Sequence, residues 1–509
     1  MTVIAFHNLG FSAARDMYAG VNFSLNRGER LGVVGNNGIG KSTLFRCIAG
    51  ETGPGEGEVV LARNQQIIMV SQEVPDDLLK LTMFEALLDG LPPAERDYDS
   101  WKIDVLLDEI AAPMDHRDRK VGDLSGGWQR MVMLGRCSLS QAEIILLDEP
   151  TNHLDLAKIL WLENWINSLP PTRTVAMISH DRLFLDNCTT CTLFLRVGES
   201  KNFNFPFSKA ADFLAQHDEE AQILADKTNV KLKKMEQSAH KLRQIGVDHF
   251  SEKSLRKSIQ IQKKAEMLKD TLPELEREER RDITLSNRDT HQKYMIEINN
   301  IQVSDPNDTP LFGIEKLVMA KGERLVLFGK NGAGKPQFIE LLNRQLKLQR
   351  EDRVKGLHIA ATARTCYLDQ HLSFLPQGFT VFEQVKDVCD ILDDRCRSLL
   401  INAGFTLPMQ KVKIASLSPG ERLRLALVCF RLRTPNLYFF DEPTNHLDIA
   451  GQILLEEQIN SINATCIIIS HDRRFVENVG NRFAMINGKK LEDIKAPETF
   501  YQILRANAV

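Results

Sequence analysis

Two lysines, each closing a glycine-rich run, are the residues of this sequence best placed to do chemistry. The first run is Gly35-Asn36-Asn37-Gly38-Ile39-Gly40-Lys41-Ser42, which matches GxxxxGK[ST], follows an apolar strand-like stretch and opens a helix-like one. In that context the glycines let backbone N–H groups wrap an anion, and the helix N-terminus adds positive potential. Lys41 would then reach the β- and γ-phosphates of a nucleoside triphosphate, Ser42 would offer a hydroxyl to Mg²⁺, and Thr43 would stand beside it. The run Ile144-Ile-Leu-Leu-Asp148-Glu149-Pro150 supplies the other half of such a site. Asp148 would close a buried strand and help hold the metal. Glu149 would polarise an attacking water, a role typically worth about 10²–10⁴-fold in rate. His180, at the end of the next apolar run, is placed to sense the γ-phosphate, and Gln72, after Ile67 to Val70, to report on the metal and the attacking water. Ser125-Gly126-Gly127 at another helix start forms a second anion nest. One phosphate group does not need two nests, so this one would serve a nucleotide held elsewhere.

The same landmarks recur further along the chain. Lys335 follows Lys41 by 294 residues, Gln370 follows Gln72 by 298, Ser418 follows Ser125 by 293, Asp441 follows Asp148 by 293, and His471 follows His180 by 291. A near-constant offset at five landmarks means one domain present twice. Each copy opens with strand-like alternation, then shows continuous apolar runs separated by helical sequence, which predicts an α/β domain with a largely parallel sheet. The predicted boundaries are 1–200 for the first copy, 201–291 for a joining segment and 292–509 for the second.

The joining segment occurs once. Phe203 to Phe207 is an aromatic entry; from Ser208 to Gln244 there is no Pro or Gly, and Phe213, Ile223, Leu224, Leu232, Met235 and Leu242 recur at helical spacing. Ile245 to Phe250 breaks the pattern, and a second run carries Leu255, Ile259, Leu268, Leu272 and Leu275. This predicts an antiparallel helical hairpin with its tip near Gly246 to Phe250. From Lys227 to Lys269 there are twelve Lys and Arg against four acids, whereas Asp270 to Asp282 turns acidic. Lys233, Lys234, Lys241, Arg243, Lys253, Arg256 and Lys257 are candidates to contact RNA phosphates, and His249 and Phe250 to stack on a base. On charge alone, a solvated helical face and an RNA-binding face are equal readings.

Composition sets the outer bounds. The 509 residues carry 64 Lys and Arg against 68 Asp and Glu, a net charge of −4, which excludes a uniformly basic coat for nucleic acid. The basic segment contributes +8, so the rest of the chain is acidic. No apolar run is long enough to span a bilayer and no secretory leader is evident, so the cytoplasm is the expected compartment. The nine cysteines are scattered as reduced thiols would be, and the lone Cys188-x-x-Cys191 lacks the second pair a zinc site needs.

With its phosphate loop, Leu124-Ser125-Gly126-Gly127, the LLDEP run, Ser179-His180-Asp181 and DEPTNHLD at both Asp148–Asp155 and Asp441–Asp448, the chain resembles the ATP-binding cassette ATPases. Two cassettes, no membrane segment and a single linker of this size resemble the ABC-F family in particular. The resemblance implies two cassettes that close head-to-tail around two ATP molecules with Mg²⁺. It also implies a monomeric ATPase that binds ribosomal and transfer RNA near the tRNA exit site, in translation regulation or protection against antibiotics. A transporter-energising ATPase subunit and a nucleic-acid remodelling ATPase are the competing expectations.

The second copy departs from the pattern. Its loop is Gly329-Lys330-Asn331-Gly332-Ala333-Gly334-Lys335-Pro336, so the hydroxyl for Mg²⁺ is gone and Gln337 replaces a threonine. Proline fits the first turn of a helix, so the loop itself should form. Phe11, a candidate to stack on adenine, aligns with Val303, and the second signature keeps Ser418 and Gly420 but has Pro419 between them. Head-to-tail pairing would give one site from Lys41, Ser42 and Ser418, and another from Lys335, Pro336 and Ser125. Asp441, Glu442 and His471 serve the latter, which is expected to bind nucleotide but coordinate metal weakly and hydrolyse slowly. The alternative is that water replaces the lost ligand and the two sites are nearly equivalent.

Overall fold

The computed structural model describes residues 1–12, 16–197, 199–248, 251–270, 285, 292–330, 332–348, 354–369, 372–389, 391–445 and 447–506. These form two compact units: Met1–Asn64 with Thr189–Glu278, and Gln65–Cys188 with Glu279–Val509.

In the first unit, Thr2–Ser12 pairs antiparallel with Asp16–Asn26 and with Glu56–Leu61. Separately, Arg30–Val34 runs parallel to Cys191–Phe194, which pairs antiparallel with Lys201–Phe203. Leu31, Val33 and Val34 are buried, so this strand gives a rigid base to the glycine-rich loop that follows it. That loop needs a left-handed turn before the helix Lys41–Ile48, and Gly40 provides it at φ 99°.

The hairpin belongs to the same unit. Its helices are Phe207–Asp248 and Glu252–Asp270, packed along each other. The seam takes up only part of the apolar series read from the sequence: Leu232 is buried, Met235, Leu242, Leu255 and Leu268 are half-buried, Phe213, Ile223, Leu224 and Ile259 are exposed, and Leu272 and Leu275 lie outside the described residues. The buried positions are Ala225, Leu232 and Ala239 on one helix and Ser258 and Ala265 on the other, each seven residues from the last. A seven-residue repeat is the spacing at which two helices stay in contact, and small side chains let the backbones approach closely. Ser258 Oγ donates to the Ala239 carbonyl at 2.9 Å across that seam. The first helix also runs through Gly246, where the sequence predicts a break. One glycine costs about 1 kcal/mol in a helix interior, too little to stop a long packed helix. At the root, the Arg196 guanidinium grips the Asp218 carboxylate with both terminal nitrogens, at 2.9 and 2.5 Å. Phe205 stacks on Phe213 there, with ring centroids 5.2 Å apart.

The second unit contains the parallel strands Ile67–Val70, Ile144–Asp148 and Thr174–Ile178 of the first copy. It also contains the nine-stranded sheet of the second copy, in the order Leu357–Ile359, Tyr294–Ser304, Pro310–Ala320, Lys490–Ile494, Arg482–Asn487, Arg324–Phe328, Cys466–Ile469, Leu437–Asp441 and Thr365–Leu368. The last four strands are mutually parallel, as the continuous apolar runs predicted. Ligands of such sheets bind off the carboxyl ends of the strands. Leu156 and Leu160, from the helix Leu156–Ser168 of the first copy, sit in one buried cluster with Phe328, Phe500, Tyr501 and Leu504 of the second. The fold is thus the two-cassette α/β architecture with a helical hairpin insert. Among the described residues no helix is long and apolar enough to cross a membrane.

Candidate nucleotide site

A cleft of about 580 Å³ lies in the second unit, off the carboxyl ends of Arg324–Phe328, Leu437–Asp441 and Cys466–Ile469. From the second copy it is lined by Lys330, Gly332, Ala333, Gly334, Lys335, Pro336, Asp441, Glu442 and His471. From the first copy come Ser125, Gly126, Gly127, His153, Lys158 and His180. The structure therefore brings together the second phosphate loop and the first signature nest, the pairing expected for one composite site.

The loop keeps its shape despite proline. Gly334 turns at φ 96° and Pro336 occupies the first turn of the helix Lys335–Lys347, where no backbone N–H is needed. Lys335 Nζ donates to the Gly329 carbonyl at 2.7 Å and the Lys330 carbonyl at 3.3 Å. Lys41 Nζ makes the same two bonds, to Gly35 at 2.7 Å and Asn36 at 3.3 Å. In their described residues the two loops hold the lysine alike.

Burial dominates the electrostatics of the cleft. It pushes the Glu442 carboxyl up to about 8, against the His471 amide and the Lys335 ammonium, which hold the charged form. Burial, aided by Lys335, lowers the His471 imidazole to about 4, and burial also raises Asp441. His471 N–H donates to Glu442 Oε2 at 3.2 Å, and its Nε2 lies 3.5 Å from Oε1. The first-copy pair is tighter, with His180 Nε2 at 3.1 Å from Glu149 Oε1. Both glutamates have left-handed backbone, φ 50° at Glu149 and 49° at Glu442, a conformation that costs a non-glycine residue about 1–3 kcal/mol and recurs at functional sites.

For Mg²⁺ this cleft offers the Asp441 carboxylate but no hydroxyl from the phosphate loop. Where the first loop carries the Ser42 hydroxyl, the cleft has the ring of Pro336. The Tyr367 hydroxyl donates to Asp441 Oδ2 at 3.4 Å, and Gln370 lies outside the described residues. In the first copy, Ser42 stands at the start of Lys41–Ile48 in the first unit, and buried Asp148 ends its strand in the second.

Gly35 to Thr43 lie in the first unit, as does Phe11, partly buried on its strand opposite Tyr18. Gln72 is exposed, and its carbonyl accepts from Arg130 Nη2 at 2.9 Å. Ser418 and Gly420 begin the helix Pro419–Arg433, where Ser418 Oγ donates to Glu421 Oε2 at 2.8 Å, so the second signature serine is engaged by a carboxylate that the first lacks. Asn331, His249 and Phe250 lie outside the described residues. Lys233, Lys234, Lys241, Arg243, Lys253, Arg256 and Lys257 are all exposed, as are the other five basic residues of Lys227 to Lys269. Cys188 and Cys191 are both buried, and among the described residues no three His, Cys, Asp or Glu cluster as metal ligands.

Four residues escaped the sequence reading. The Arg182 guanidinium pairs with both oxygens of Glu456, and Arg473 with both of Glu163, all four being buried. Asn187 Nδ2 donates to Glu163 Oε2 at 3.3 Å and Asn478 Nδ2 to Glu456 Oε2 at 2.8 Å. Each cassette thus sends the arginine after its Ser-His-Asp into a helix of the other. The repeat held the signal: the glutamates lie 293 residues apart and the arginines 291.

The sequence profile described as ABC transporter matches residues 18–152 and 315–445, about half the chain. ABC transporter F family member 5 of Arabidopsis thaliana is 29% identical over 524 residues, covering 94% of this chain and 74% of that protein. The probable ATP-binding protein YheS of Haemophilus influenzae is 27% identical, covering 98% and 82%. Among solved structures, the archaeal ribosome recycling factor aABCE1, in complex with the ribosomal stalk protein aP1, is similar in fold. Its TM-score is 0.66 at 18% identity, covering 99% of this chain and 92% of that one.

Proposed function

Because the chain belongs to the ABC transporter family of ATP-binding cassette ATPases, in its ABC-F branch, we propose that it is an ATP-driven ribosome-binding factor with two unequal nucleotide sites. ATP binding and hydrolysis follow from the family. The observation that carries the finer reading is the cleft itself, where Ser125 to Gly127 of one cassette face Lys335 and Glu442 of the other. A nucleotide bound by Lys335 and the second loop would present its γ-phosphate to the Ser125 hydroxyl and the nest beside it. Binding would then hold the two cassettes together, and loss of the γ-phosphate would release them. The closed state is favoured only by the difference in ATP affinity between closed and open forms.

Within each site Glu149 or Glu442 would accept the proton of the attacking water, and His180 or His471 would position that glutamate through the contacts described. Mg²⁺, when bound, would neutralise charge on the β- and γ-oxygens. Ser42 and Asp148, with Gln72, are the residues to hold it at the first site. The second site, with Pro336, would hydrolyse slowly and act mainly as a binding clamp. The exposed basic hairpin, twelve cations against four acids, suits contact with RNA phosphates. A ribosome near its tRNA exit site is the proposed target, with translation control or antibiotic protection as the outcome and the cytoplasm as the compartment.

The double variant Glu149→Gln/Glu442→Gln should bind ATP without turning it over and sediment with ribosomes in an ATP-dependent way. A variant that binds ATP but stays in the supernatant would refute the ribosomal reading.

A further inference from the structure

One cation lining the cleft takes no part in the chemistry above. Lys158 lies on the helix Leu156–Ser168, and its side chain, 14% exposed, lines the cleft. Its ammonium sits 4.0 Å above the Trp128 ring, which the edge of His116 meets at 5.5 Å. A methyl group added at Gly127 would lie 3.8 Å from Lys158 Nζ, so the charge is adjacent to the signature nest. Asp155 Oδ2 is 3.8 Å away, beyond hydrogen-bond distance, and leaves the ammonium donors available toward the cleft.

The other cassette carries no charge at the matching position. The Lys158 amide donates to the capping Asp155 at 3.0 Å, and the Gly451 amide donates to the capping Asp448 at 2.9 Å. Positions 158 and 451 are therefore equivalent, and the second holds a glycine. The extra positive charge thus occurs in the cleft whose phosphate loop has lost its hydroxyl to Pro336.

We propose that Lys158 is a phosphate-binding residue of this cleft, a fixed charge contributed by the opposite cassette. It compensates for the missing metal ligand, so that the cleft holds a nucleoside triphosphate with little dependence on divalent cation. The physical basis is that a charge-assisted hydrogen bond from an ammonium to a phosphate oxygen needs no metal bridge. The aromatic face of Trp128 lies under the ammonium and favours its charged form, against burial, which lowers its pKa. The proposal rests on the cleft being a nucleotide site, and the test separates the two.

In full-length protein carrying Lys41→Ala to disable the first loop, binding of a fluorescent ATP analogue and the matching ADP analogue is measured in Mg²⁺ and in EDTA. The parent should lose less than about threefold in triphosphate affinity when Mg²⁺ is replaced by EDTA. Lys158→Met, which keeps the apolar stem over Trp128, should lose about tenfold in EDTA for the triphosphate and less than about twofold for the diphosphate. Lys158→Arg should retain binding. Unchanged triphosphate binding by Lys158→Met, or equal loss for both nucleotides at an unchanged melting temperature, would overturn the role of Lys158. Adding Lys335→Ala tests the cleft itself: if the analogue still binds as tightly, the nucleotide-site reading fails, whatever Lys158 does.

Discussion

At the scale of single residues, the most consequential charge is one that folding works against. Asp472 follows His471 and caps the helix Arg473–Val479, its side chain accepting from the Phe475 amide at 3.0 Å. Its other oxygen, Oδ2, is buried without a hydrogen-bond partner. Burial and then the nearby Asp181 carboxylate push this carboxyl from 3.8 up to about 7, while Arg182 opposes them and Glu456 adds to them. Between pH about 4 and 7 the folded protein therefore holds a proton that the unfolded chain has lost, and stability falls as pH rises through that window. His471, lowered to about 4, gives a slope of opposite sign between about 4 and 6.5. Asp472→Asn keeps a capping oxygen and removes the charge. It should raise stability by about 1–2 kcal/mol at pH 8 and by nearly nothing at pH 4, measured as melting temperature against pH. The phosphate-loop and Asp-Glu residues were legible in sequence because their chemistry imposes fixed local spacing. Lys158 was not, because a lysine on a helix is common and only the fold places it beside Gly127.

At the scale of elements, two strands of the first copy are legible to the residue: Ile67–Val70 and Ile144–Asp148 coincide with the expected runs, since buried parallel strands are continuous apolar sequence. The hairpin is legible as two helices but only partly in its seam. Helical periodicity of large side chains points to a packed face, whereas these helices meet on alanines, a serine and Leu232 and leave Phe213, Ile223, Leu224 and Ile259 outside. The result is a slender rod with cations around it and a root clamped by Arg196 and Asp218. If those cations meet phosphates, removing each one should reduce the salt dependence of binding. Lys253→Ala, Arg256→Ala and Lys257→Ala together should weaken ribosome sedimentation and flatten the slope of log affinity against log salt by about 2–3. An unchanged slope would mean that this face is only solvated.

At the scale of the whole molecule, the reciprocal arginine–glutamate pairs tie one repeat to the other through buried charge. Removing one member strands its partner, which typically costs about 3–5 kcal/mol, whereas replacing both with apolar groups is often nearly neutral. Arg473→Met should therefore lower the melting temperature sharply and impair ATP turnover. Adding Glu163→Leu, 310 residues away in sequence, should restore most of the loss. Failure of the second change to rescue the first would mean that the pair acts in something other than holding the halves together.

That reciprocity has a historical reading. Contacts in which each side offers the same residues to the other are the mark of a two-fold homodimer. Here both sides are encoded in one reading frame. A gene duplicated and fused in this way is free to let one half decay, because the half that decays is always supplied with an intact mate. Proline at 336 and lysine at 158 are substitutions that a true homodimer would have to accept twice, in both of its clefts at once. A fused chain needs to accept each only once, and so it can evolve two clefts with different duties.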